Sequence, residues 1–199
     1  MKVRAGLALS RAIELSALLL FVSSTATAGE KPVSKFTSTA QKSAIRFHRE
    51  KDDPSDFRGV YRGFAGYDLE FLGGDERSWI NIKFGKAIAD LREATMDFGA
   101  GIGFFPHKAN DVVEWRGIEK NGSFIPYAVI YRIVGLTENG QRDKTRLVVI
   151  KLDQARSRII GHADGENAQA EAERIADEAH NKDREPPNDS RSAVSAPNR

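Results

Sequence analysis

An apolar segment behind an Asn-Gly turn constrains the fold of this chain more than any other feature. In residues 123–134, apolar and aromatic side chains occupy both alternating sets of positions. Strand side chains point alternately to opposite faces, so this strand is buried on both sides and must be central in its sheet. Asn121-Gly122 favours a type I′ turn, which predicts an antiparallel partner at residues 111–119. Pro126 has no backbone N–H, and we expect a bulge or an edge near it.

Alternating patterns elsewhere predict more strands, and a change of period predicts one helix. Strands are expected at residues 68–72, 78–84, 146–152 and 157–163, and simple alternation places Tyr127 on the same face as Tyr131. From residue 167 to residue 180 the period becomes helical, with alanines on one face and acidic residues on the other. The predicted fold is α+β: an antiparallel β-sheet meander of about five or six strands, with a C-terminal amphipathic helix packed on one face.

The two ends of the chain predict export and flexible termini. A basic start, an apolar run at residues 15–22 and the small residues Ala26-Thr27-Ala28 have the pattern of a secretory signal peptide, assigned to residues 1–28. Residues 29–44 and 181–199 are polar, and we predict a flexible lead-in and a disordered tail there. Residues 45–180 remain as a single β-rich globular domain. The protein is expected to be periplasmic or secreted, with no transmembrane helix after signal cleavage.

Charge and composition exclude several classes of function. Residues 1–28 hold three of the 30 basic residues and one of the 28 acidic ones, so the rest of the chain is balanced at 27 of each. A balanced chain lacks the basic excess typical of nucleic-acid binding, and we expect no nucleic-acid partner. The chain has no cysteine, which excludes a disulfide framework, a thiol nucleophile and a thiolate metal site. Its four histidines are widely spaced, and no metal or cofactor is expected.

Charged residues beside the two tryptophans form the candidate surface. Glu114 and Arg116 project to the same side of a predicted strand, opposite Trp115. They could grip a polar ligand, or they could form a cross-strand ion pair on a solvated face while Trp115 anchors the core. The loop sequence GGDER presents more charges beside the other tryptophan, although Gly-Gly-Asp is also ordinary turn chemistry. The predicted ligand or partner surface consists of Asp75, Arg77, Trp79, Glu114 and Arg116.

The order of these segments is shared with a known group of proteins. EFLGGDERSWINIKFG, VVEWRG, YAVIYRI and LVVIKL, followed by an Ala-rich C-terminal helix, resemble a family of exported alphaproteobacterial proteins, especially rhizobial ones, whose function is unknown. The resemblance covers about residues 66–179. It rests on short motifs around Gly74-Asp75, Arg77, Gly85, Glu114-Trp115-Arg116 and the helix. It implies a periplasmic location and a shared fold, and it implies no particular activity.

Three functional hypotheses follow from the sequence. No catalytic constellation or serine-nucleophile motif is present, which favours a non-enzymatic periplasmic module that binds an envelope protein or a small polar ligand. The second hypothesis is a hydrolase of envelope polymers that uses the carboxylates of Asp75, Glu76 and Glu114, which would require two of them to lie close together. The third is a structural or stress-related protein with no specific ligand. No catalytic residue is assigned.

Overall fold

The computed structural model describes residues 30–99 and 104–184. The predicted signal peptide, residues 1–28, lies outside these ranges, as does most of the predicted tail, residues 185–199. Within the described residues the chain forms, in order, β1 (Pro32–Ser38), β2 (Arg46–Arg49), β3 (Phe57–Arg62), β4 (Tyr67–Gly74), β5 (Arg77–Phe84), β6 (Ala87–Ala89), α1 (Arg92–Gly99), β7 (Phe104–Lys120), β8 (Ser123–Leu136), β9 (Arg142–Lys151), β10 (Arg158–Asp164) and α2 (Ala168–Arg184).

The strands form two antiparallel sheets of five instead of one meander. Sheet I has the order β1-β7-β8-β9-β10, and sheet II has the order β2-β3-β4-β5-β6. The α+β class with a C-terminal helix is therefore confirmed, whereas the prediction of a single sheet of five or six strands is wrong. Alternation shows which face of a strand is buried, but it does not show which sheet the strand joins. The predicted strands at 68–72 and 78–84 belong to sheet II, while β7 to β10 do form a meander in sheet I.

Strand β8 is central in sheet I, as its two apolar faces predict. It pairs with β7 on one side and with β9 on the other. The pairing of β7 shifts from Arg116–Ala128 to Gly117–Pro126, so Tyr127 is an extra residue in β8. This bulge confirms the prediction made from Pro126. It also changes the alternation, so the prediction that Tyr127 shares a face with Tyr131 is wrong.

The core of the protein lies between the facing sheets. Trp115 is fully buried there, with its ring 5.7 Å from the ring of Phe64 in an edge-to-face arrangement. Its Nε1 atom donates to the Thr37 hydroxyl at 2.8 Å, so the indole is satisfied as well as buried. The same cluster contains Leu69, Phe71, Ile80 and Ile82 from sheet II and Val129, Tyr131, Ile133, Val148 and Ile150 from sheet I.

Helix α2 covers the other face of sheet I and makes a third layer. Its buried side chains are alanines, Ala168, Ala172 and Ala176, which pack with Ile130 and Val149 of the sheet. Small side chains let the helix axis approach the sheet closely. The helix extends past the predicted end at residue 180. Two ion pairs, one between Lys151 and Asp183 and one between Arg184 and Glu30, hold its last described turns.

The predicted flexible lead-in, residues 29–44, contains an ordered strand. β1 pairs with β7 along its whole length, from Pro32–Ile118 to Ser38–Val112. The prediction is wrong because a polar edge strand has no apolar period to reveal it. Backbone hydrogen bonds to β7, and the bond that Trp115 Nε1 donates to the Thr37 hydroxyl, hold β1 in place although it buries little surface.

Two local features shape the end of the sandwich where β1 leaves sheet I. Residues 39–45 cross from β1 in sheet I to β2 in sheet II. In β7, the pairing jumps from Lys108–Ile133 to Val113–Tyr131, which leaves three extra residues on the β7 side. The crossover and this insertion are tied by a hydrogen bond from the Thr39 backbone N–H to the Asp111 carbonyl at 2.8 Å.

Candidate functional site

A cavity of about 560 Å³ lies between the two sheets at the end that carries the β4–β5 turn. Strands β2, β3 and β4 provide one wall, and the start of β7 with the end of β8 provides the other. Small-molecule sites in proteins usually measure roughly 300–1,000 Å³. The sheets thus leave room for a small ligand where they are not packed on one another.

Aromatic side chains of sheet II form the first wall. Phe47, Phe57 and Phe71 come from three neighbouring strands, with ring centroids 6.1 Å apart for Phe47 and Phe57 and 4.9 Å apart for Phe57 and Phe71. Glycines oppose them across the strands, since Gly59 pairs with Phe47 and Phe71 and Gly73 pairs with Phe57. A Cβ atom at Gly73 would lie 2.1 Å from the Phe57 ring, so glycine is required for this packing.

The opposite wall is fixed by the insertion in β7. Lys108 Nζ donates to the Thr39 carbonyl at 3.2 Å and to the Thr39 hydroxyl at 2.9 Å, and it also pairs with the Asp111 carboxylate. The same ammonium lies 4.5 Å from the centroid of the Phe71 ring, across the cavity wall. Lys108 therefore joins the crossover, the insertion and the aromatic wall, and its charge is already compensated.

Charged residues stand around the aromatic wall. The cavity is lined by three permanently cationic residues, Arg49, Arg77 and Lys108, and by two carboxylates, Glu76 and Asp111. Arg49 lies over the rings of Phe47 and Phe57, with its guanidinium carbon 5.4 Å and 5.7 Å from their centroids. In the described part of the chain, Arg49 has no carboxylate within ion-pair distance. The lining thus has an excess of one positive charge.

The Tyr61 hydroxyl is the polar group of the cavity that lacks a protein partner. Tyr61 is only 1% exposed and lines the cavity, and its hydroxyl makes no hydrogen bond within residues 30–99 and 104–184. Burial, and then the nearby Asp111 carboxylate, raises the pKa of Tyr61, while Arg49 acts in the opposite direction. The hydroxyl therefore remains protonated and able to donate. A buried hydroxyl without a partner costs about 1–3 kcal/mol, which a bound acceptor would offset.

Three residues with positive φ angles lie beside the cavity. Asp75 and Glu76 have φ angles of 51° and 60° in the two-residue turn between β4 and β5. Phe105 has a φ angle of 52°, and its ring lies 4.4 Å from the guanidinium carbon of Arg77. Positive φ angles at residues other than Gly and Asn are uncommon and cluster at ligand sites. Two of these residues, Asp75 and Phe105, also contact Arg77 at the cavity edge.

The structure separates the five residues predicted to form one surface. Arg77 lines the cavity, and Asp75 pairs with it from the turn with 74% of its own side chain exposed. GGDER is thus a turn, with Asp75 and Glu76 as the loop residues. Trp79 is buried on the outer face of sheet II, where the guanidinium of Arg92 covers its ring at 5.1 Å.

Glu114 and Arg116 lie beneath α2, on the face of sheet I that points away from the cavity. Their shared side, opposite Trp115, is confirmed, but this side is covered by the helix instead of being solvated. Glu114 is 4% exposed, and its carboxylate accepts from the Ser34 hydroxyl at 2.5 Å and from Gln169 Nε2 at 2.6 Å.

Arg116 is the centre of a dense ionic cluster between the sheet and the helix. Its guanidinium donates twice to the Asp177 carboxylate at 2.9 Å and pairs with Glu173 at 3.0 Å. Hydrogen bonding to Asp177 raises the pKa of Arg116 far above its ordinary value. Burial would raise the pKa of Asp177, but the bonds from Arg116 and Tyr127 outweigh it and lower that pKa. Arg116 therefore holds the helix on the sheet.

The three carboxylates of the hydrolase hypothesis do not come together. Asp75 and Glu76 are in the β4–β5 turn of sheet II, whereas Glu114 is on the far side of sheet I and already has two hydrogen-bond donors. Across residues 30–99 and 104–184, no group of His, Asp and Glu side chains is arranged to hold a metal ion. No helix in those ranges has the length and apolar character needed to span a membrane.

Sequence reasoning missed the aromatic wall, Tyr61 and Arg49. Arg49 comes from β2, Tyr61 from β3 and the wall from β2, β3 and β4, and the fold alone brings them together. A weak signal does exist in the sequences FRGVY and EFLGG, which alternate aromatic residues with glycine at positions that pair across β3 and β4. Glycine is unfavourable inside a strand unless something must approach closely, so this alternation indicates rings lying over the sheet.

No protein family, curated protein or solved structure matches this chain in the comparisons made with known proteins.

Proposed function

We propose that this protein is a non-enzymatic periplasmic binding module and that its ligand site is the cavity between the two sheets. The observation that carries the proposal is the wall of Phe47, Phe57 and Phe71, an aromatic surface that lines a cavity of about 560 Å³ between the sheets. Apolar surface is normally buried against protein, and a concave apolar site with a few convergent polar groups is typical of small-molecule binding.

The contacts around the cavity favour binding over catalysis. Lys108 and Asp111 are engaged with each other and with Thr39, so neither is a free acid or base. A hydrogen bond from the Lys108 backbone N–H to the Ser78 hydroxyl at 3.0 Å joins the two walls, which favours a preformed site. A preformed site whose Lys108 and Asp111 are already paired is suited to holding a ligand of matching shape.

The proposed location rests on the sequence. Residues 1–28 have the pattern of a secretory signal, and the family resemblance implies the same compartment. Fractionation of cells that make the full chain would test it. We expect a mature form that begins near Gly29 in the periplasmic fraction, and an uncleaved cytoplasmic product would contradict the proposed location.

A neutral fluorescent amine, phenylnaphthylamine, tests the site itself. We expect its fluorescence to rise on binding to the protein, with saturation at one equivalent. Ser55→Trp places a large side chain in the cavity lining and should abolish this signal. Ser43→Trp is the matched control, because Ser43 is exposed and does not line the cavity.

Two results would contradict the proposed site. One is the absence of saturable binding to the wild-type protein. The other is equal binding by the Ser55→Trp and Ser43→Trp variants, provided that both show the thermal unfolding transition of the wild type.

A further inference from the structure

The cavity lining contains a buried hydroxyl without a hydrogen-bond partner and a guanidinium without an ion-pair partner among the described residues. The Tyr61 hydroxyl is buried without a partner, and Arg49 makes no ion pair within the described part of the chain. Both groups line the same cavity: the Tyr61 hydroxyl lies next to Gly59 of β3, and the Arg49 guanidinium lies over the ring of Phe57 of the same strand. A hydroxyl donor and an unpaired guanidinium beside one another form a site for an acceptor that carries negative charge.

The other cations of the cavity are already compensated. Lys108 pairs with Asp111, and Arg77 pairs with Asp75. Arg49 and the lining carboxylate Glu76 then have no ion-pair partner in the described part of the chain, but Glu76 is exposed in the β4–β5 turn whereas Arg49 lies on the aromatic wall. A ligand on that wall therefore meets positive charge at Arg49. A cationic ligand would be repelled there, and a ligand without an acceptor would leave the Tyr61 hydroxyl buried and unbonded.

The cavity also has a defined place for the apolar body of a ligand, on its aromatic floor. The rings of Phe57 and Phe71 form the floor of the cavity on the same sheet as Tyr61, and Arg49 lies over the Phe57 ring. An aromatic or acyl group on this floor would bring an attached anionic group toward Arg49 and Tyr61. The geometry is that of a site for one small molecule with an apolar and a charged end.

We propose that the ligand is an amphipathic anion, with a carboxylate, sulfonate or phosphate group bound by Tyr61 and Arg49 and an apolar body on Phe57 and Phe71. This inference rests on the proposed function, because it names the class of ligand for the same cavity. It adds a charge preference that small-molecule binding alone does not require.

Two probes with the same ring system separate charge from shape. Anilinonaphthalene sulfonate carries an anionic group, and phenylnaphthylamine has the same aromatic body without it. For the wild-type protein we expect the sulfonate probe to bind at least about tenfold more tightly, the usual effect of a charge-assisted hydrogen bond. Binding of both probes is measured by fluorescence titration at low and at physiological salt.

Three variants assign the preference to named residues. Tyr61→Phe and Arg49→Gln should each reduce the affinity for the sulfonate probe about tenfold and leave the affinity for the neutral probe unchanged. Arg46→Gln is the control, because Arg46 is a neighbouring arginine of β2 that lines the opposite, outer face of sheet II and not this cavity. It should change neither affinity.

The outcomes distinguish the two proposals. Equal affinity of the wild-type protein for both probes would overturn the anionic ligand while leaving the binding site in place. Failure of both probes to bind would overturn the site and the ligand class together. The comparison of probes on the wild-type protein needs no variant, so a variant that fails to fold does not prevent the test.

Discussion

The polar groups beneath α2 and those in the cavity between the sheets differ in their hydrogen bonding and ion pairing. Beneath α2, Tyr127 donates to the Asp177 carboxylate at 2.5 Å, and the same carboxylate is held by Arg116. In the cavity, Tyr61 has a hydroxyl without a partner, and Arg49 has no carboxylate among the described residues. Both tyrosines and both arginines come from strands, and both tyrosines are almost fully buried. The tyrosines differ in whether their hydroxyls are bonded, and the arginines differ in burial as well, because Arg116 is half-buried and Arg49 is exposed.

Residues whose polar groups are bonded within the protein stabilise the fold, whereas residues whose polar groups are unbonded remain available to a ligand. A buried polar group without a partner destabilises the fold, and most such groups are satisfied in native proteins. Arg116, Tyr127 and Asp177 beneath α2 follow that rule because they attach a helix with few apolar side chains. The cavity groups depart from it, which is expected where a ligand supplies the missing partner.

The largest effect is expected from Arg116→Ala. The change leaves Asp177 and Glu173 without their cation, at side-chain exposures of 23% and 30%. Breaking a fully buried pair costs more, so for these partly buried groups we expect a loss of about 3 kcal/mol in the free energy of unfolding. Arg174→Ala is the control, because Arg174 forms its ion pairs on the exposed side of α2. Urea unfolding measures both, and equal losses would contradict the structural role of Arg116.

A slightly smaller effect is expected from overpacking the helix. Ala172 is fully buried against sheet I, so Ala172→Leu must push α2 away from the sheet. We expect a loss of about 2 kcal/mol in the free energy of unfolding. Ala170→Leu, at an exposed position of the same helix, should be close to neutral. If the buried variant were as stable as the exposed one, the close contact between α2 and the sheet would be refuted.

Removal of the two tyrosine hydroxyls tests the comparison most directly. Tyr127→Phe deletes a hydrogen bond to a carboxylate, and we expect a loss of about 1.5 kcal/mol. Tyr61→Phe deletes a hydroxyl that has no partner, so the ligand-free protein should lose no stability. Thermal and urea unfolding of both variants provide the measurement. A loss for Tyr61→Phe equal to that for Tyr127→Phe would show that the Tyr61 hydroxyl is already bonded.

The smallest effect concerns pH and His180. Its ring stacks on Tyr127 with centroids 4.1 Å apart, and burial, and then Arg184, lowers the pKa of His180, while Asp183, Asp177 and Glu30 act in the opposite direction. The unfolded chain therefore binds a proton at His180 at a higher pH than the folded protein does. Stability should fall as the pH drops from about 6.5 through the lowered folded pKa, before carboxylates titrate.

His180→Phe keeps an aromatic ring on Tyr127 and removes the titrating group. We expect this variant to lose the shallow dependence of unfolding free energy on pH in that window. Unfolding curves between pH 7 and pH 5 provide the comparison. An unchanged slope would mean that another group titrates there.

Local chemistry made part of this structure predictable. The Asn121-Gly122 hairpin, the two-faced β8 and the bulge near Pro126 depend on dihedral preferences and on a missing backbone donor, which neighbouring residues determine. The common side of Glu114 and Arg116 followed from strand alternation. What covers that side did not, because Asp177 is 61 residues from Arg116 along the chain.

The second sheet and the cavity depend on long-range pairing and were not predictable in the same way. β1 has no apolar period, and β3 is interrupted by Gly59 within an aromatic pattern. Tyr61 and Arg49 resemble ordinary strand residues in the sequence. Their lack of partners is a property of the assembled sandwich alone.

The hydrogen bond between Lys108 and Ser78 has a consequence for how quickly a ligand can exchange. The Lys108 backbone N–H donates to the Ser78 hydroxyl at 3.0 Å, from β7 in sheet I to β5 in sheet II, so the sheets cannot separate at this edge without breaking that bond. Passage into the cavity then relies on rotation of exposed side chains such as Arg49, which takes picoseconds to nanoseconds, roughly a thousandfold faster than a domain hinge motion. Association at this site should therefore follow ligand concentration without a slow opening step.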